Sequence, residues 1–182
     1  QGYSSAASDV YKRQLYDKAQ MVINQYPKFP IMQSQLISIY IEKWKESAKE
    51  KMLDEAEQKA KEFSEYLPIQ SQLITIYMLK GEYDKAEKLA KRFPNYAPIQ
   101  SQLVTIYIKK WQDEEAVKIA DNFKWYEPIQ EQLLELYMNQ NNFKKAKEIA
   151  DFMPHSKIIK NKFLSFRNIT GGDKLADDDF DR

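Results

Sequence analysis

A segment that recurs four times constrains the fold of this chain more than any other feature. The sequence PIQSQLITIY begins at Pro68 and returns as PIQSQLVTIY from Pro98 and as PIQEQLLELY from Pro128. A copy with one extra residue, PIMQSQLISIY, begins at Pro30. The tyrosines that end the four copies are 37, 30 and 30 residues apart. A fixed period of this length is typical of proteins built from stacked structural repeats.

A second, weaker block follows each of these copies. One example runs from Tyr83 to Phe93, and its equivalents end at Phe63 and Phe123. The sequence LYDKA at 15–19 matches the start of this block. The chain therefore contains a partial repeat at 15–29 and repeats that begin at residues 30, 68, 98 and 128.

Each block predicts a helix. Apolar side chains recur at i, i+4, i+7 and i+8 in the first block, as expected for one face of a helix (Ile69, Leu73, Ile76, Tyr77). The second block carries a similar stripe that is rich in small residues (Ala86, Leu89, Ala90, Phe93). Pro68 suits the first helical turn, and Gly81 suits the break between the two helices. Stacked helix pairs of this kind can bury faces that a single pair cannot.

The residues around this break resemble the tetratricopeptide repeat. Tyr77, Gly81, Tyr83 and Ala86 match that family's signature at its inter-helix turn, and Leu73 matches its leucine. The period is 30 residues where the family has about 34, a difference of about one helical turn. In addition, Gln70 and Ile74 stand where the family usually has tryptophan and glycine. The resemblance implies an all-α, right-handed α–α solenoid, or superhelix, over residues 15–167.

Two regions depart from the period. The first repeat has extra residues between Trp44 and Ala56, and alanine, methionine and phenylalanine recur there at helical spacing. This pattern predicts a second helix about two turns longer than the others, from near Lys45 to near Tyr66. Residues 154–167 predict a half-repeat that caps the stack, and the acidic residues 168–182 predict a disordered tail.

The first residues match a sequence of technical origin. Ser4–Gln14 read SSAASDVYKRQ, which is the in-frame translation of a transposase-type sequencing adapter. We therefore interpret residues 1–14 as non-native and expect them to make no specific contact with the repeats. We also expect the native protein to have another helix before Leu15. The apolar side of the 15–25 helix should then be partly exposed. Whether the native protein also has an upstream domain or a signal peptide is left open by the sequence.

Composition excludes several kinds of site. The chain has no cysteine and one histidine, so disulfides, thiolate metal sites and multi-histidine sites are excluded. The net charge is +1, whereas nucleic-acid binding favours an excess of Lys and Arg. No segment approaches the about 20 apolar residues of a membrane-spanning helix. We expect no metal, no cofactor, no nucleic-acid partner, no membrane association and a cytoplasmic location.

Some motifs have a chemical interpretation and a structural one. Asp177–Asp181 spell the acidic DDxxD pattern of prenyl synthases, but no second acidic motif accompanies them, so we interpret them as a solvated tail. His155 is interpreted as a loop residue. Trp44 and Trp111 are expected in the turn after the first helix, and Trp125 in a loop. The tyrosines before each proline could stack on bases, but their recurrence favours packing between repeats (Tyr66, Tyr96, Tyr126).

The recurring glutamines, Gln70 and Gln72 with their equivalents, favour hydrogen bonds between repeats over ligand contact.

In the family that the chain resembles, the first helices line a concave groove. Carrying this over predicts three rows of groove residues that turn acidic toward the C-terminus. The rows are Ser34, Ser71, Ser101 and Glu131; Ser38, Thr75, Thr105 and Glu135; and Ile41, Met78, Ile108 and Met138.

These observations predict a protein-binding scaffold and no catalytic residues. The expected partner is a peptide or helix of another protein, held in the groove. Two alternatives stay open. The chain could be a helical accessory domain of a larger protein, such as an enzyme, or an RNA-binding helical repeat. The residues at equivalent positions are nearly identical from repeat to repeat, so they would recognise the same base each time. This disfavours the last alternative.

Overall fold

The structure, a computed structural model, describes residues 2–170, and all of their side chains except those of residues 2–9, 13 and 170. This part of the chain is all helical and contains no strand. The helices are α1 (Gly2–Ile23), α2 (Pro30–Ser47), α3 (Glu50–Lys61), α4 (Leu67–Leu79), α5 (Tyr83–Ala90), α6 (Ala97–Lys109), α7 (Asp113–Asn122), α8 (Glu127–Asn139), α9 (Phe143–Phe152) and α10 (Lys157–Thr170).

The chain divides into two compact units, Gln1–Leu89 and Ala90–Arg182. In the first unit, α2 packs against α1, α3 and α4, and α3 also packs against α4. In the second unit, α6 packs against α7 and α8, and α8 packs against α7, α9 and α10. Helix α9 also contacts α10. Within each unit, consecutive helices are thus packed against each other, as the helical-repeat interpretation predicts.

The even-numbered helices hold the recurring glutamine block or its C-terminal equivalent, and we call them first helices. The odd-numbered ones are second helices. Proline occupies the first or second position of α2, α4, α6 and α8, where no intrahelical N–H bond is lost. Tyr66, Tyr96 and Tyr126 precede three of these helices as N-caps in extended conformation. The sequence therefore sets where each first helix begins.

A left-handed residue follows three of the first helices. Gly81, Trp111 and Asn141 have φ of 74°, 59° and 54° and lie 30 residues apart. The N–H of the next residue donates to the carbonyl of Tyr77, Tyr107 or Tyr137, at 2.8–2.9 Å. This bond satisfies a carbonyl that the end of the helix leaves without a partner. Each turn therefore reverses the chain within a few residues.

The core of both units repeats the same two buried positions. One first-helix position holds a fully buried aliphatic side chain in every complete repeat (Ile37, Ile74, Val104, Leu134; each 0% exposed). One second-helix position holds a fully buried alanine (Ala56, Ala86, Ala116, Ala146; each 0% exposed). Because alanine is small, the two helices of a pair can approach closely.

The extra residues of the first repeat lengthen its first helix, which corrects the prediction of a long second helix from Lys45 to Tyr66. Helix α2 has 18 residues, whereas α4, α6 and α8 have 13. Ala48, at φ 52°, ends α2, and its N–H donates to the carbonyl of Trp44 at 2.7 Å. Of the residues that carry the periodicity of 48–63, Met52, Ala56 and Ala60 lie in α3, whereas Ala48 and Phe63 lie outside it. Trp44 lies inside α2 rather than in a turn.

Both ends of the described region differ in detail from the predicted boundaries. Helix α10 continues to Thr170, so residues 168–170 are helical rather than part of the tail. The Asp177–Asp181 motif lies outside the described residues. Helix α1 is continuous through Leu15, and the side chains of Val10 and Tyr11 before it are 55% and 63% exposed.

Candidate functional site

The first recurring glutamine joins neighbouring repeats in the structure. Gln33, Gln70, Gln100 and Gln130 are 1–5% exposed. Their amide nitrogens donate to the carbonyl seven residues earlier, that of Tyr26, Phe63, Phe93 or Phe123, at 3.0–3.3 Å. Gln130 also donates to the carbonyl of Ala120 at 3.0 Å. These side chains bond the carbonyls at or just beyond the end of the preceding helix, and they support the structural interpretation over ligand contact.

The second glutamine links first helices to one another. Gln72 of α4 donates to the carbonyl of Ser34 at 2.9 Å and to Oγ of Ser38 at 2.8 Å, and it accepts from Oγ of Ser34 at 3.1 Å. In the second unit, Gln132 of α8 donates to Oγ of Ser101 at 3.0 Å. Ser34, Ser38 and Ser101 of the predicted groove thus hold first helices in register. Part of their hydrogen-bonding capacity is used within the protein.

The acidic end of the predicted groove carries an ion pair. Lys162 of α10 bonds the carboxylates of both Glu131, at 2.6 Å, and Glu135. Hydrogen bonds to Glu131 and Glu135 raise the pKa of Lys162 above its ordinary value. Lys162 occupies the position that Gln72 and Gln132 hold in earlier repeats. The terminal half-repeat therefore replaces the polar link by a charged one, and the two carboxylates are neutralised in part.

The remaining groove residues lie on the first helices with partial exposure. Thr75 and Thr105 donate to the carbonyls of Ser71 and Ser101 at 3.2 Å, one helical turn earlier. Met78, Ile108 and Met138 are half-buried, in contrast to Ile41, which is buried at 7% exposure. Of the four residues in the third row, Met78, Ile108 and Met138 therefore expose apolar surface and Ile41 does not.

Within each unit, helix packing brings some of the groove residues together. In the first unit, α2 and α4 carry Ser34, Ser38, Ser71, Thr75 and Met78 on packed helices. In the second unit, α6 and α8 do the same for Ser101, Thr105, Ile108, Glu131, Glu135 and Met138.

Another set of polar contacts between helices was missed by the sequence analysis. Lys43 of α2 bonds Asp17 of α1 at 3.0 Å, and Lys80, the C-cap of α4, bonds Asp54 of α3 at 2.8 Å. Gln140, the C-cap of α8, donates to Asp113 of α7 at 2.8 Å. These pairs are 26 or 27 residues apart. The recurrence of an aspartate that far before a lysine or glutamine was the signal that could have predicted them.

The ion pair between Lys80 and Asp54 is part of a larger network. Lys80 also bonds Glu57 at 2.6 Å, and Lys61 bonds Glu57 at 2.5 Å. Burial raises the pKa of Glu57, but hydrogen bonds from Lys61 and Lys80 outweigh it and hold that pKa below its ordinary value. The hydrogen bonds of Asp54 and Glu57 raise the pKa of Lys80. Glu57, Lys61 and Lys80 are therefore charged at neutral pH, and the ion pairs of Lys80 join the end of α4 to α3.

Two adjoining clefts lie among α7, α8 and α9 in the second unit. Their volumes are about 380 and 320 Å³, and both are lined by Val117, Tyr137 and Lys145. The ammonium of Lys145 lies 5.0 Å from the centre of the Tyr137 ring. Leu133 and Tyr137 line the clefts, whereas Glu131 and Glu135 lie on the opposite side of α8, because successive residues of a helix are rotated by about 100°. The clefts and the predicted groove are therefore separate surfaces.

The aromatic residues are divided between packing and exposure. Tyr126 is half-buried and meets Trp125 edge to face, with ring centres 5.5 Å apart. Trp125 lies in the turn before α8, as predicted, and is 68% exposed. Trp111 lies in the turn after α6, also as predicted, and is 88% exposed. The recurring tyrosines therefore have a structural position, at the start of the first helices.

No metal cluster or spanning helix is found in the region that the structure describes. No group of three or more acidic or histidine side chains in residues 2–170 could share a metal ion. Within the same residues, each helix is too short or too polar to cross a bilayer. His155 is exposed in the turn between α9 and α10, as the sequence analysis predicts.

Comparisons with protein-family models, with curated proteins and with solved structures give no match to this chain.

Proposed function

We propose that this chain is a non-catalytic scaffold that binds a peptide or helix of a partner protein along its first helices. In this proposal the repeats stack as in the tetratricopeptide repeats that the sequence resembles, in a right-handed superhelix. The observation that carries it is the half-buried apolar side chain at one first-helix position, Met78, Ile108 or Met138. It lies about one turn after Thr75, Thr105 or Glu135.

The three rows of groove residues differ in how far their side chains are already used in contacts within the protein. The polar links use Ser34, Ser38 and Ser101, and the ion pair with Lys162 uses Glu131 and Glu135. Met78, Ile108 and Met138 take no part in these links, because their side chains have no hydrogen-bond donor. Apolar contacts at these positions would therefore add affinity without breaking the contacts that hold the repeats in register. Methionine adapts to partners of different shape.

The binding surface can be tested with peptides selected on the full chain from a displayed random library. We expect Met78→Lys and Ile108→Lys each to weaken the selected peptides by at least about tenfold, or ~1.4 kcal/mol, measured by fluorescence anisotropy. The matched control is Phe152→Lys, which places the same charge on an exposed residue lining the second cleft. Unchanged binding to both groove variants, with loss in Phe152→Lys, would move the site to the clefts.

A salt titration tests the RNA-binding alternative. Contacts with phosphates release counterions, so binding to nucleic acid weakens steeply as salt rises. Tight, salt-sensitive binding of a single-stranded RNA oligonucleotide would contradict the scaffold proposal. The three groove rows contain no lysine or arginine, and Lys162, which lies beside them, is already paired with two carboxylates.

A further inference from the structure

Helix α10 has one side that the described part of the chain leaves partly open. Its Leu164 holds the position of Ile37, Ile74, Val104 and Leu134, which are completely buried. Each of those four residues lies on a first helix that is followed by a second helix. Leu164 is only half-buried, and the structure describes no second helix after α10. The side of α10 that carries Leu164 therefore corresponds to the side that a second helix covers in the other repeats.

The sequence that follows α10, outside the described residues, keeps the period of the repeats. Gly171 lies 30 residues after Asn141, which is one of the three left-handed residues that end first helices. Glycine adopts this conformation more readily than any other residue. Ala176 lies 30 residues after Ala146, one of the completely buried alanines of the second helices. A turn residue and a small residue thus follow α10 at the spacing that begins a second helix.

The contact between α8 and α9 shows which positions face each other in such a pair. The second cleft is lined by Gln130 and Tyr137 of α8 and by Glu148 and Ile149 of α9. Thirty residues later, these positions hold two cations on the first helix and two aspartates after it, namely Lys160, Arg167, Asp178 and Asp179. Opposite charges therefore stand on the two sides of the equivalent contact in the last repeat.

A further pair of changes removes a repulsion from this contact. In the preceding repeat, the ammonium of Lys145 lies 5.0 Å from the centre of the Tyr137 ring. In the last repeat, Arg167 takes the position of Tyr137, and Leu175 takes the position of Lys145. A lysine at residue 175 would repel Arg167, whereas a leucine can pack on the aliphatic part of its side chain. The two changes are thus compatible with contact between the segments.

Asp179 departs from the apolar pattern of the second helices. Its equivalent Ile149 is 7% exposed, and a carboxylate at such a position is unfavourable unless it is paired. Lys160 is exposed, whereas the glutamines at its position in the earlier repeats are 1–5% exposed. An exposed ammonium on this side of α10 can supply the partner that the carboxylate needs.

We propose that residues 173–180 pack along α10 as the second helix of a fifth pair, covering Leu164 and placing Asp178 and Asp179 beside Lys160. This range is equivalent to α5, Tyr83–Ala90, which also has eight residues. The segment is joined to α10 by two glycines and carries the charge opposite to that of the side it covers. Composition alone predicts a disordered tail, because it counts the aspartates without their partners on α10.

The contact uses none of the groove residues, so it is independent of the proposed scaffold function. It also gives the acidic motif Asp177–Asp181 a structural role, which is to hold the end of the chain against the basic side of α10.

Amide hydrogen exchange of the full chain, resolved by NMR, tests this contact. A helix of eight residues is not stable alone, so without the contact its amides would exchange as in an unstructured peptide. We expect the amides of residues 177–180, which have intrahelical acceptors, to exchange at least about tenfold more slowly than in a free peptide of residues 171–182. The amides of α10 serve as the internal reference for folding in every variant.

Two neighbouring substitutions locate the contact. Ala176→Arg should abolish the protection, because its position is completely buried in the other second helices and leaves no room for a long side chain. Asp177→Arg should preserve it, since Lys147 at the equivalent position is exposed and adjacent residues are rotated by about 100°. The control changes the charge of the segment more than Ala176→Arg does, so charge alone cannot produce the expected difference.

An exchange of charges tests the pairing. Lys160→Glu should reduce the protection of residues 177–180 by at least about threefold, because it places like charges side by side. Adding Asp179→Lys should restore the protection, since the pair is then reversed. Lys157→Glu makes the same change of charge on an exposed residue, but its equivalent Glu127 does not line the cleft, so its effect should be smaller.

Any of four results would overturn the proposal. The first is exchange of residues 177–180 at the rate of the free peptide. The second is equal protection in Ala176→Arg and Asp177→Arg. The third is no recovery when Asp179→Lys is added to Lys160→Glu. The fourth is protection that disappears on dilution together with self-association in sedimentation velocity, which would assign the segment to α10 of a second copy.

Discussion

The buried glutamines show that a single side chain can join two repeats. Gln100 and Gln130 each donate to two carbonyls of the preceding helix and turn, at 3.0–3.4 Å. Carbonyls at the end of a helix have no intrahelical partner, so an unpaired one beneath a neighbouring helix would be costly. The repetition of glutamine in the sequence predicted hydrogen bonds between repeats. It could not predict the acceptors, because the acceptors are main-chain groups that any residue provides.

Trp111 offers a test at the level of one residue. It has φ of 59°, which costs an ordinary L-residue about 1 kcal/mol or more, whereas its equivalent Gly81 has no Cβ. Since the indole is 88% exposed, its removal loses little packing. We expect Trp111→Gly to raise the free energy of unfolding by about 1 kcal/mol, measured by urea denaturation.

The reciprocal control is Gly81→Ala. An added Cβ at Gly81 meets no atom within 4 Å, so only the backbone conformation opposes it, and the loss should also be about 1 kcal/mol. A destabilised Trp111→Gly variant would contradict the strain argument and indicate that the indole makes a stabilising contact.

At the level of the helices, the sequence predicted the number and type of elements better than their ends. The starts of α4, α6 and α8 follow from proline and the recurring tyrosine, which are local signals. The prediction of one long second helix over residues 45–66 was wrong. The spacing of Ala48, Met52 and Ala56 is the same for that long helix as for a second helix that begins at Glu50. Only the backbone shows that Ala48 is left-handed. The polar links through Gln72 and Lys80 join residues of different repeats, and their partners depend on how helices pack.

The contact between α3 and α4 has a defined pH dependence. Hydrogen bonds from Lys61 and Lys80 hold the pKa of Glu57 below its ordinary value of 4.5. A carboxyl whose pKa is lowered by folding stabilises the protein above its unfolded-state pKa, and that stability is lost as pH falls through the folded-state pKa. We expect Glu57→Gln to lower the free energy of unfolding by about 1–2 kcal/mol at pH 7. The difference from the parent should shrink as pH falls below about 4.5.

Glu42→Gln is the control for this measurement. Glu42 pairs with Lys45 at 2.7 Å, but both side chains are about half exposed, so this pair is worth less than about 0.5 kcal/mol. A difference between the Glu57→Gln variant and the parent that stays constant down to pH 3 would show that the carboxylate charge does not contribute.

For the whole molecule, periodicity predicted what is common to the repeats, and it predicted the ends poorly. The stripes of Leu73 and Ala86 return in every complete repeat, so their burial follows from stacking alone. The predicted groove depends on the same periodicity, but Ile41 is buried where its equivalents are half-buried, and Lys162 of α10 bonds the two glutamates of the groove. Such differences between repeats cannot be predicted from the periodicity, because the periodicity describes only what the repeats have in common.

Amide hydrogen exchange can measure this difference between the interior repeats and α1. The amides of α4, α6 and α8 lie on helices with completely buried side chains such as Ile74, Val104 and Leu134, so they should exchange slowest. Helix α1 buries Ile23 but leaves Leu15 and Val22 about half exposed, so it gains less from packing and should open more often. We expect residues 10–22 to exchange at least about tenfold faster than the centres of those three helices, a gap of ~1.4 kcal/mol in opening free energy. Equal protection in α1 and α4 under native conditions would contradict this, because it would mean that the exposed side of α1 is covered in solution.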